Sequence, residues 1–276
     1  MKKLGKAILA VAAALVVCAV VLGVLNGLVA KGAWTFGWVD YQYDESGFTA
    51  GGASVTAPNA DRLKRIEIDW IDGSVQVIPC QDICVSMTES AEGDMGEGNE
   101  LRWKLSEDGT TLTVRYRKSS WFFLGTHKEN KTLTLRVPER FFGQLEELDV
   151  KVRSSQVTVT GLTLSTLRFS AEQGSLTVQD CAASEILAAT QGGSVSVSSA
   201  VCPQKLDLQT RGGDVTLALG ADASFTLDWQ TEGGNLISDL PLTSADGTYR
   251  YGAGKAELRV KTAKGDLQIK EYKSGE

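Results

Sequence analysis

A single frame of apolar residues around a glycine recurs along the second half of this chain. In TRGGDVTL, Thr210 to Leu217, take Gly213 as position zero. Leu206 and Leu208 stand seven and five residues before it, and Val215 and Leu217 stand two and four after it. The same frame fits around Gly174, Gly193, Gly234 and Gly265, and around Ser155 with serine in the glycine place. Ser238 breaks the last place of the Gly234 copy, and a distant copy, IEIDWIDGSVQV, surrounds Gly73. From Ser155 the intervals are 19, 19, 20, 21 and 31 residues. Period-two alternation on both sides of a glycine means strand, turn, strand. A repeat near 20 residues means units that bury their apolar faces against their neighbours. The expected fold is therefore all-β: a β-solenoid of strand–turn–strand coils, stacked in sequence order, spanning residues 141–276.

Residues 61–140 are less regular and read as meander strands that cap the N-terminal end of the stack, since an open final coil would expose a strand edge. The 31-residue interval before Gly265 holds PLTSADGTYRYGAGKAE, which reads as a hairpin or excursion. The repeated glycines (Gly73, Gly174, Gly193, Gly213, Gly234 and Gly265) read as tight turns in which a side chain would cost strain. Asp214 corresponds to Ser175, Ser194, Asn235 and Asp266 in the other copies, so no ligand loop is held fixed there. Gly213→Val is expected to destabilise the domain without selectively abolishing binding. A phosphate loop is excluded because a strand, not a helix, follows each glycine. A calcium-binding β-roll is excluded because its nine-residue period is absent.

The first 30 residues form a separate unit. Three lysines (Lys2, Lys3, Lys6) precede an uncharged run of 24 residues, Ala7 to Ala30. That length spans a bilayer and exceeds a signal-peptide core. The run reads as a retained single-pass transmembrane helix; a cleaved signal peptide is the alternative. The flanking charges place the N-terminus in the cytoplasm and the remaining chain outside. Residues 31–60 read as a juxtamembrane linker, with Trp34, Phe36, Trp38, Tyr41 and Tyr43 suited to the outer interface. Gly23 and Gly27 form a GxxxG that offers a homo-oligomer contact between helices; the alternative is the ordinary abundance of small residues in such helices.

Charge narrows the partners. The chain carries −6 and its first 30 residues +3, which leaves −9 on residues 31–276 and disfavours nucleic acid. One histidine, His127, rules out multi-histidine metal sites. No cofactor is expected. Cys80 and Cys84 bracket the turn CQDIC, and Cys181 and Cys202 occupy equivalent connectors of successive coils. Either pair suits a disulfide outside the membrane; buried free thiols are the rival reading. Asp207 and Asp228 share one place in the frame and would face outward about one strand spacing apart, as a carboxylate pair or a solvated face.

A local basic stretch interrupts the acidic ectodomain. From Arg115 to Arg140 there are seven Lys or Arg against two Glu. Trp121, Phe122, Phe123 and Leu124 stand among Arg115, Arg117, Lys118, Lys128 and Lys131. Two readings fit: an apolar tip that plugs the solenoid, or a contact surface for a membrane, protein or envelope polymer.

The segment LTLRVPE, Leu133–Glu139, followed by repeated xxGxVxV strands, resembles the bacterial "putative adhesin" domains of unknown function with β-strand repeats. The resemblance covers about residues 60–272. It implies a solenoid-like fold, an extracytoplasmic position on the envelope of Gram-positive bacteria, and a non-enzymatic adhesin-like or envelope-stress role. It supplies no catalytic residues. The alternatives are a carbohydrate-active enzyme that uses outward carboxylates and a structural subunit of an envelope complex.

Overall fold

In each repeat, alternate residues point to opposite faces, so one strand can bury only every second side chain. The chain meets this constraint by folding each unit over its turn, which puts the two apolar sets against each other. The computed structural model describes residues 46–51, 54–57, 60–93, 95, 98–117 and 130–273. The expected transmembrane run, with Gly23 and Gly27, lies outside them. Among the described residues no helix is long and apolar enough to cross a membrane.

Among the described residues two sheets, of twelve and ten strands, face each other. Each coil contributes one strand to each sheet, and successive coils pair parallel and in register. In the smaller sheet Val157, Leu176, Val195, Val215 and Leu267 line up strand to strand. In the larger sheet Leu148, Leu167, Ile186, Leu206 and Leu258 do the same. All ten are at most 2% exposed, and they form the interior of one continuous core. A parallel ladder of identical coils therefore converts a sequence period into columns of like residues spaced about 4.8 Å apart.

The stack does not follow sequence order at either end. Its spatial order is 111–138, 65–80, 147–160, 163–179, 182–199, 205–219, 256–271 and 225–238. The stretch expected to be only a cap thus supplies two coils, and the solenoid begins near residue 65 rather than 141. At the far end the last coil in sequence slips between two earlier ones.

Apolar completeness explains which coil is outermost. The 256–271 coil presents Leu258, Val260, Leu267 and Ile269, all buried, and can be covered on both sides. The 225–238 coil has Ser238 at an inward place and only half-buried Trp229 and Leu236, so it suits the end. Antiparallel strands close the stack. Thr248–Tyr251 pairs with Phe225–Thr231, and Thr243–Ala245 with Thr248–Tyr251, which realises the expected hairpin. At the opposite end Arg102–Leu105 covers Thr111–Arg115, and Ser86–Ala91 covers Lys131–Pro138.

Candidate binding surfaces

The repeated glycines form one column along the stack. A Cβ on Gly193 would lie 1.9 Å from the Gly174 carbonyl oxygen, and one on Gly213 would lie 2.0 Å from that of Gly193. Gly265 and Gly234 meet the carbonyls of Gly213 and Gly265 in the same way, each at 2.0 Å. Only Gly73 of this column has a positive φ, at 89°. The expected reason, a turn conformation closed to other residues, is therefore replaced by a different one. Glycine is required because neighbouring turns stack backbone on backbone. Inside these turns lies a second column that the sequence frame misses: Thr190, Thr210 and Thr262 are buried, and Thr231 continues it. Thr190 Oγ1 donates to the Gly174 carbonyl at 2.9 Å and accepts the Gly193 N–H at 3.1 Å. A threonine three residues before each of Gly193, Gly213, Gly234 and Gly265 is the sequence signal for it.

The varying residue after the glycine also acts between coils. Asp214 accepts the Asp266 amide at 2.9 Å, and Asp266 accepts the Asn235 amide at 2.7 Å.

At the outermost coil the glycine column ends in Lys131. This residue was expected on a basic surface, and the structure places it in the interior, fully buried. Its ammonium pairs with equally buried Glu89 at 3.1 Å, donates to the Arg117 carbonyl at 2.9 Å and to the Asn99 carbonyl, and lies under the Tyr116 ring. Glu89 also accepts the Leu101 N–H at 2.6 Å. No further coil covers this place, so a long side chain has room to turn inward. Arg115 is tied to Asp69 at 3.4 Å and stacks over Phe48. Burial raises the Asp69 pKa, against the opposing pull of Lys151 and Arg115. Trp121, Phe122, Phe123, Lys118 and Lys128 lie outside the described residues, and of the expected basic members only Arg115 and Arg117 remain on described, partly exposed backbone.

The outer face of the larger sheet is a lattice of compensated charges. Arg65 and Arg168 both reach Glu147, at 2.8 and 2.7 Å, and Lys205 meets Glu185 at 2.5 Å. Asp207 and Asp228 were expected side by side. The inserted coil sets Arg259 between them, 3.8 Å from Asp207 and 3.6 Å from Asp228. An adjacent carboxylate dyad does not exist at this place, because strand insertion separates the two acids by two strand spacings.

The smaller sheet has a different outer face. Thr134, Gln76, Thr158, Thr177, Ser196 and Thr216 follow one another on adjacent strands, an uncharged line of hydroxyls and amides. Beside its N-terminal coils opens a groove of about 420 Å³, lined in part by Asp72, Ser74, Glu92, Asn130, Thr132 and Gln156.

Among the described residues no cysteine is bridged. Cys80, Cys84, Cys181 and Cys202 are free thiols, so neither expected pair is joined. Cys181 is buried, and its Sγ donates to the Gln179 carbonyl at 3.3 Å. Burial pushes its pKa up to about 11 and raises that of Cys202, which favours the protonated thiols. Among the described residues no group of His, Cys, Asp or Glu is arranged to hold a metal ion.

Residues 63–273, which include every coil, match the family model described as Toastrack DUF4097. The chain belongs to the Toastrack DUF4097 family. The name states a domain of unknown function, and the stacked two-sheet coils are the fold it brings together here. A crystal structure of a "putative cell adhesion protein" from Clostridium sporogenes is similar in fold, with a TM-score of 0.53 at 10% identity. The similarity covers 81% of this chain and 99% of that one. A "putative adhesin" from Bacteroides fragilis aligns with a TM-score of 0.42 at 10% identity, over 78% of this chain and 95% of that one. No curated protein matches the chain.

Proposed function

We propose that this Toastrack domain is a non-enzymatic binding or scaffold module, adhesin-like, held on the outer side of the cell membrane by its N-terminal helix. The observation that carries the reading is the pair of regular outer faces that the in-register stacking creates. One is laced with ion pairs between coils, and the other carries a central line of hydroxyls and amides. Repetitive faces suit recognition of an extended partner, because each coil presents the next copy of the same contact. The acids that would have made a hydrolytic pair are instead each engaged by Arg259. The name borne by the Clostridium sporogenes neighbour points the same way.

The anchor supports the reading through its length and flanking lysines, and the basic apolar segment around Trp121–Leu124 would supply a contact beside the stack. The test is carried out on cells and isolated envelopes. Protease added to intact cells should remove the domain, and the full chain should stay with the membrane fraction. A chain lacking residues 1–30 should still bind isolated envelopes, and W121A/F122A/F123A in that chain should remain folded and lose the binding. A full chain released to the soluble fraction, or a domain protected in intact cells, would sink the anchored, outward reading. Unfolding of the triple variant would assign those aromatics to plugging the stack.

A further inference from the structure

The groove beside Glu92 and Asn130 has a chemistry that neither the fold nor the charge lattice uses up. It lies where the column Ser90–Thr132–Ser74–Gln156 crosses four adjacent strands and meets the turns that carry Asp72 and Glu92. Its volume, about 420 Å³, is that of a small-ligand site. Among the described residues its lining contains no Lys, no Arg and no aromatic residue. The two carboxylates, Asp72 and Glu92, repel a phosphate or carboxylate ligand. The polar lining also disfavours an apolar ligand, which would leave it desolvated.

What the lining offers is a set of hydrogen-bonding groups of both kinds. Asp72 already accepts from the Gly73 N–H at 2.9 Å and from Ser154 at 3.2 Å through Oδ1, which fixes its carboxylate in place. Asn130 donates to Glu92 at 3.0 Å, which orients both. Ser74 and Thr132 hydroxyls sit 2.9 Å apart. Positioned carboxylates accept strongly from hydroxyl donors, and amides and hydroxyls can both give and take. The ligand with matching pairs of hydroxyls is a polyol.

We propose that this groove binds a neutral, polyhydroxylated ligand, namely a sugar residue of an uncharged glycan chain. The inference rests on the reading of the domain as an extracytoplasmic binding module and names the class of its partner. The groove is open, and the Thr/Ser/Gln line of the smaller sheet runs on from it. A polymer seated at the groove therefore meets a further hydroxyl or amide about every 4.8 Å, which a free monosaccharide cannot use. Glu92→Gln removes the charged acceptor and keeps the contact with Asn130. Asn130→Ala removes that orienting donor. Both side chains are exposed, so the fold survives either change.

The experiment titrates the detergent-solubilised full chain by calorimetry with neutral gluco- and manno-oligosaccharides of one and six units, and with hexagalacturonate. The expected result is saturable binding of at least one neutral hexamer, at least tenfold tighter than its monomer and than the anionic hexamer. E92Q and N130A should each weaken it about tenfold, while Glu185→Gln on the opposite sheet leaves it unchanged. No saturable binding of a neutral oligomer, tighter binding of the anionic one, equal binding of monomer and hexamer, or insensitivity to both groove variants would overturn the proposal. If the chain still associates with envelopes while binding no neutral sugar, the groove assignment falls and the scaffold reading stands. If it binds sugar and the domain is protected in intact cells, the reverse holds.

Discussion

Single residues in this protein act mostly through their neighbours one coil away. Gly213 shows it: the space for a Cβ is occupied by the Gly193 carbonyl at 2.0 Å, with no positive φ involved. Gly213→Ala should therefore destabilise the domain by about 3 kcal/mol or more, at or above the top of the usual overpacking range, because rigid backbone and not a mobile side chain must give way. Gly143 has no atom within 4 Å of the place its Cβ would take. Gly143→Ala should change the urea midpoint little, within about 0.5 kcal/mol. Equal losses at the two sites would refute the stacking explanation. Lys131 poses the complementary case. Lys131→Met keeps the volume and strands Glu89 as a buried, unpaired carboxylate, at a cost of about 3–5 kcal/mol. The double variant Lys131→Met/Glu89→Gln should recover a large part of that loss in the same denaturation experiment. No recovery would mean that Lys131 matters for its two carbonyl contacts and not for its charge.

At the level of strands and turns, the order of the stack is the distinctive result, and it can be tested chemically. Asp207 pairs across strands with Arg259, and Asp228 pairs with Arg259 from the other side. In a background with the native cysteines replaced, D207C/R259C should form a disulfide on oxidation. D207C/D228C should not, since two strand spacings, about 9.6 Å, exceed the reach of the bond. A cross-link between positions 207 and 228 would restore the sequence-order stack. The alternation in LDLQT and VTLAL made the strands, the turn glycines and the two-sided core legible in the sequence. Order along the stack was not legible, because parallel coils with the same frame fit one another in any order. The deciding terms are small differences in apolar completeness, such as Ser238 against Ile269 at one inward place. The cap was half legible for a similar reason: the frame around Gly73 was visible, but Lys131 in the glycine place disguised the coil at 111–138. The candidate groove escaped the sequence altogether, since Asp72, Glu92 and Asn130 come from turns that only the stacking brings together.

For the molecule as a whole, the reordering ties both ends of the repeat region into the interior. In a solenoid stacked in sequence order, loss of the last repeat removes one end and leaves the remaining interfaces intact. Here the last coil, 256–271, lies between the 205–219 and 225–238 coils and contacts both. Its removal would open a gap in the core, uncover Leu206, Leu208, Val215 and Leu217 along one side, and detach the coil that carries the closing hairpin. Truncation after Gly252 should therefore abolish the cooperative thermal transition of the whole domain, not lower it by one repeat. In the intact protein, amide exchange should be slow in the 258–260 and 267–269 strands, as slow as in the central 186–188 strand, although they lie near the C-terminus. Fraying of these strands ahead of the 225–238 coil, or a truncated chain that retains a sharp transition, would show that the end coils stack as independent units. Cooperative loss would show that the chain closes its own stack by threading its last coil beneath the one before it.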